Sequence, residues 1–112
     1  MNKEFSQKIN NILLSKTTVE WNRLHIVYLH FDYESAARVF YQNDAQIKWQ
    51  PVNSSWQDLM DILAEYKFKM DAESQEELTK CVYVLNKDLS HQIKLEYGPQ
   101  DMTVYDIPPE NI

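Results

Sequence analysis

The chain has 112 residues, a length that fits one domain and is too short for two. Its composition, 44% hydrophobic and 12% aromatic, supplies one core and excludes a disordered chain, while a single glycine argues against the Gly-rich loops that cradle phosphate. The net charge of −6, from 17 acidic and 11 basic side chains, disfavours direct contact with nucleic acid or an anionic membrane and favours a basic partner.

Cys81 is the only cysteine, so no intrachain disulfide is expected, which fits a reducing compartment. Residues 1–14 lack the continuous apolar core of a secretory signal, and no stretch approaches the ~20 apolar residues of a membrane span. A cytoplasmic location is expected.

The first element is a helix. Phe5, Ile9, Ile12 and Leu13 fall on one face of a 3.6-residue period, and the residues between them are polar. The helical pattern fades at Ser15 to Thr18. Arg23 to Phe31 is β-branched and aromatic and apolar on both alternations, as in a central strand buried on two faces. Asp32 to Ser35 reads as a turn. Ala36 to Tyr41 reads as a second strand, with Ala37, Val39 and Tyr41 on one face and Arg38 and Phe40 on the other. After a turn at Asn43 and Asp44, Gln46 to Trp49 forms a short third strand that stops before Pro51.

The second helix opens with Ser54 placed three residues before Gln57, the spacing of a capping box. Trp56, Leu59, Met60, Leu63 and Met70 make its apolar stripe, with Ile62 and Tyr66 beside it. Asp58 in the first turn and Lys67 and Lys69 near the end suit the helix dipole. The helix is expected to end near Met70, leaving Asp71 to Glu77 as an acidic loop or short helical stretch. Lys80 to Leu85 is an apolar strand. After a turn at Asn86 to Leu89, Gln92, Lys94 and Glu96 alternate with Ile93, Leu95 and Tyr97, a half-buried strand that stops at Gly98-Pro99.

The expected fold is therefore α+β in the order α-β-β-β-α-β-β: an antiparallel sheet of about five strands with two helices packed on it. Residues 1–98 make one domain and residues 99–112 an extended C-terminal tail.

Few residues carry chemistry. His25 and His30, five apart on one strand, point to opposite faces and cannot share a metal site. His91 starts another strand. Cys81 lies within an apolar strand, the setting of a buried structural thiol rather than a nucleophile. No metal, cofactor or catalytic constellation is expected. Asp58, Asp61 and Glu65 share a helical face, and Asp71, Glu73, Glu76 and Glu77 continue the negative run. Clustered like charge of this kind is either a solvated face or an interaction surface. Of the tryptophans, Trp56 reads as core, while Trp21 and Trp49 border strands and are expected to be half exposed.

Several short motifs occur in a recognisable order. A first helix is followed by Val19-Glu20-Trp21, then an aromatic strand ending in Phe31-Asp32. Val39-Phe40-Tyr41, a Ser54-to-Leu59 helix start and a late hairpin ending in Ile93 to Tyr97 complete the series. This layout resembles the YezG-like immunity (antitoxin) proteins of bacterial polymorphic-toxin and contact-dependent growth inhibition systems, over roughly residues 5 to 98. Thr18 stands where that family commonly has proline. The resemblance implies a protein that binds and neutralises a cognate toxin domain, often a nuclease, and it carries over no catalytic residue. Because a nuclease must be basic to hold phosphate, an acidic inhibitor suits it. The expected toxin-binding surface is Asp58, Asp61, Glu65, Asp71, Glu73, Glu76 and Glu77, with the loop Asp32 to Ser35 and Asp44 as the alternative. Two other readings compete: a non-catalytic adaptor or subunit of a larger assembly, and a small enzyme with a site among His25, His30, Cys81 and Glu96.

Overall fold

The structure is a computed structural model that describes residues 2–31, 33–44 and 46–99; the tail expected beyond Pro99 lies outside the described residues, apart from Pro99 itself. The elements are α1 (Lys3–Lys16), β1 (Arg23–Phe31), β2 (Glu34–Asn43), β3 (Gln46–Pro51), α2 (Gln57–Ser74), β4 (Leu78–Asn86) and β5 (His91–Tyr97). The order is α-β-β-β-α-β-β, and the fold is α+β. Among the described residues all strand pairs are antiparallel, in the order β3-β2-β1-β4-β5, so β1, apolar on both alternations, takes the centre.

Register explains the core. Ile26 faces Val39 on β2 and Tyr83 on β4, and Tyr28 faces Ala37 and Cys81. These side chains share the sheet face on which Ile9 and Leu13 of α1 and Leu59 and Leu63 of α2 are buried. Complete burial of an aliphatic side chain stabilises by roughly 1.5–3 kcal/mol, so these four helical residues hold both helices to the sheet. A second cluster joins Phe5, Tyr66 and Leu78. There the Phe5 and Tyr66 rings meet edge to face at 5.3 Å. The opposite sheet face also buries side chains, among them His25, Leu29, Phe40, Trp49 and Val84, which accounts for the apolar character of β1 on both alternations.

Two strand bounds move: β2 begins at Glu34, inside the expected turn, and β3 runs through Pro51 instead of stopping before it. Three further local expectations are corrected. The first concerns the start of α2. Ser54 does not cap it: the N-cap position is Trp56, with no side-chain cap bond. The Trp56 indole donates to the Val52 carbonyl at 3.1 Å, which fixes the approach of the chain, and Gln57 turns to Asp61 instead of reaching back. An acidic group still serves the helix start, since Asp58 accepts from the Leu59 amide at 3.0 Å. Secondly, α2 runs past Met70 to Ser74 and ends at Gln75 in the left-handed region (φ 62). Lys67 and Lys69 therefore lie before the last turn, which holds no basic residue. Thirdly, Trp21 and Trp49 are buried rather than half exposed. Each lies beneath a cation, Lys87 at 4.6 Å from the Trp21 ring and Arg23 at 5.5 Å from the Trp49 ring.

Candidate functional site

The acidic residues singled out in the sequence do not share one environment. Asp61 and Glu65 are exposed on the outer face of α2, where Ala64, Phe68 and Ala72 are also exposed. Phe68 is 79% exposed, unusual for an aromatic side chain in mid-helix. Asp58 accepts from Lys16 at 2.8 Å, and this bond holds its carboxyl below the usual range while joining the end of α1 to the start of α2. Glu73 and Glu76 are exposed at the end of α2 and just beyond it.

Asp71 and Glu77 are committed to the fold. Asp71 accepts from Lys67 at 2.5 Å and from the Leu78 amide at 2.6 Å, so it ties the last turns of α2 to the start of β4. Glu77 lies 3.4 Å from the same ammonium. Burial works against the charge of Lys67, but the bond to Asp71 and the field of both carboxylates raise its pKa overall. The strongest acidic surface free of these ties is the outer stripe of α2 around Phe68. The alternative surface does not assemble: Ser35 lies within β2 near its start, Asp44 follows its far end, and Asp32 lies outside the described residues.

The enzyme candidates separate as well. His25 is buried on the second sheet face against Phe40 and Trp49, with ring centroids at 6.5 and 5.4 Å, and neither ring nitrogen has a hydrogen-bond partner. Burial first, then the charges of Lys80 and Arg23, lower its pKa to about 4. Cys81 is buried in β4, and burial raises its thiol to about 12, where no thiolate forms at neutral pH. Glu96 pairs with Lys80 at 3.1 Å. Among the described residues no group of three or more His, Cys, Asp or Glu side chains could hold a metal ion. A pocket of about 310 Å³ opens where β3 ends, between Ala37, Phe40, Pro51 and Trp56; Arg38 is the one charged residue in its lining.

His30 has partners that sequence reasoning did not join to it. Its Nδ1 lies 2.6 Å from Ser35 Oγ across the β1–β2 pair, and its Nε2 lies 3.2 Å from Glu77 Oε1. The Tyr28 hydroxyl donates to the same Ser35 Oγ at 3.1 Å. The one local signal is that His30 and Ser35 flank a hairpin turn and so become cross-strand partners. Glu77 arrives from the α2–β4 junction, which no pattern in the sequence brings to this strand.

No protein-family model matches the chain, and no curated protein matches it. No helix among the described residues is long and apolar enough to cross a membrane.

Proposed function

We propose that this chain is an immunity-type inhibitor that binds and neutralises a basic toxin domain, most simply a nuclease, through the outer face of α2. The observation that carries the reading is the stripe of Asp61, Glu65 and Phe68: two exposed carboxylates beside an exposed aromatic on a helix whose opposite side is locked into the core. An exposed aromatic is a candidate anchor, because aromatic residues are enriched at protein interfaces, and the flanking carboxylates supply charge at its rim. The net charge of −6 supports fast, steered encounter with a cationic surface. The motif resemblance to YezG-like immunity proteins points the same way, and a cytoplasmic site of action belongs to the same proposal.

The test is co-expression with the toxin domain encoded beside this chain's own gene. The proposal predicts a stable complex, protection of the host cell, and an association rate that falls as ionic strength rises. Absence of both complex and protection would falsify it. A complex whose formation ignores salt would instead favour the adaptor reading, in which charge plays no part.

A further inference from the structure

The contacts of His30 have the connectivity of an activated nucleophile: a hydroxyl on one ring nitrogen, a carboxylate on the other. The Glu77 carboxylate lies at ion-pair distance from Nε2, and as a pure acceptor it is best met by a proton on that nitrogen, so we assign the neutral imidazole the Nε2–H tautomer. That leaves Nδ1 as an acceptor, and the partner 2.6 Å away is Ser35 Oγ. Tyr28 donates to Ser35 Oγ, which leaves the serine's own proton to point at Nδ1. The polarity runs without conflict from Tyr28 through Ser35 and His30 to Glu77. Lys67, 3.4 Å from Glu77, pairs with its carboxylate and is a positioning residue.

We infer that Ser35, His30 and Glu77 form an acyl-transfer centre that takes the acyl group of a small ester. Attack by Ser35 Oγ on the ester carbonyl forms the Oγ–acyl bond as its proton passes to His30 Nδ1. The ester C–O bond then breaks, and the alcohol leaves with that proton. Water, deprotonated by the same nitrogen, hydrolyses the acyl-serine to a carboxylic acid and restores the hydroxyl. The nucleophile uses Nδ1 and the carboxylate Nε2, the reverse of the familiar serine-protease order, but either nitrogen of the ring transmits the proton. Ser35 and His30 are only part-buried, which admits a small acyl group.

The experiment uses the full chain alone, without any partner. It is treated with a fluorophosphonate probe, which forms an Oγ–phosphorus bond with loss of fluoride and the serine proton, and the adduct is located by peptide mass spectrometry. In parallel, p-nitrophenol release from p-nitrophenyl acetate is followed. The centre predicts a single adduct on Ser35, abolished in Ser35→Ala. It predicts labelling and hydrolysis slowed about 100-fold in His30→Gln, the scale of a lost general base. Glu77→Gln lowers both about ten-fold, because imidazolium formation loses its counter-charge. An adduct elsewhere, no adduct in the folded wild-type chain, or equal labelling of His30→Gln overturns the inference. The wild-type adduct site decides the matter even if a variant folds poorly. Because no toxin is present, failure here leaves the inhibitor reading standing, and success does not depend on it.

Discussion

The hydroxyl of Tyr83, on the central part of β4, donates to Asn10 Oδ1 on α1 at 2.7 Å. Tyr83 is wholly buried and burial raises its pKa to about 12, so the hydroxyl stays a donor and needs this acceptor. Asn10→Ala strands it and is predicted to cost about 1–3 kcal/mol, the penalty for an unsatisfied buried polar group. In a Tyr83→Phe background the same change is predicted to cost less than half as much. A double-mutant cycle from urea melts measures the coupling; additive costs would show that the bond contributes nothing.

His25 makes stability depend on pH. Its folded pKa, about 4, lies below the unfolded value of 6.5, so the unfolded chain takes up the proton first. Stability from this residue is full above about pH 6.5 and is lost progressively as pH falls towards 4, by up to about 3 kcal/mol. His25→Leu is predicted to flatten that part of the profile relative to wild type and to raise stability at pH 5, since two unpartnered ring nitrogens disappear. Parallel wild-type and variant profiles across this range would contradict the assignment.

The acidic residues divide into two kinds, and mutation should separate them. Asp71→Ala removes the acceptor of both Lys67 and the Leu78 amide, with a predicted cost of about 2–3 kcal/mol in a thermal or urea melt. Asp61→Lys with Glu65→Lys is predicted to change stability by less than about 0.5 kcal/mol, as exposed sites do, and, on the proposed function, to slow association with the basic partner about ten-fold at low salt. Phe68→Ala is predicted to speed dissociation and leave association nearly unchanged. Undiminished binding in both variants would move the interface off α2.

Cys81 supplies a probe of opening. With its thiol held near 12 by burial, it is predicted to resist Ellman's reagent at pH 8 in the folded chain and to react fully in denaturant. Reaction of the native chain at the rate of a free thiol would show that β4 opens readily.

Period and composition made the architecture legible: the two-sided apolar run of β1, the alternation in β5 and the stripe of α2 led directly to the layers and the strand count. Boundaries were less legible. Helix α2 continues past Met70 because Asp71 bonds backward to Lys67 and forward to Leu78, a tertiary reward that propensity does not register. Trp21 is buried in the main core cluster and Trp49 packs against His25, with the charged ends of Lys87 and Arg23 over their rings, contacts between parts of the chain that local pattern does not register. Of the acidic surface, the shared face of Asp61 and Glu65 was readable from helical spacing, while the exposure of Phe68 was not, since an aromatic in a helix ordinarily reads as core. The trio around His30 was hidden for a different reason: Ser35 meets His30 through hairpin register, but Glu77 reaches it only once the end of α2 has docked on the sheet.

Strand β1 sits between β2, its immediate successor, and β4, which follows only after α2. During vectorial synthesis the first hairpin and α1 emerge with one long edge of β1 bare, and the sheet cannot close until residues 78–86 have left the ribosome. Nascent chains stalled within α2 should therefore remain sensitive to protease, and protection should arrive in a single late step.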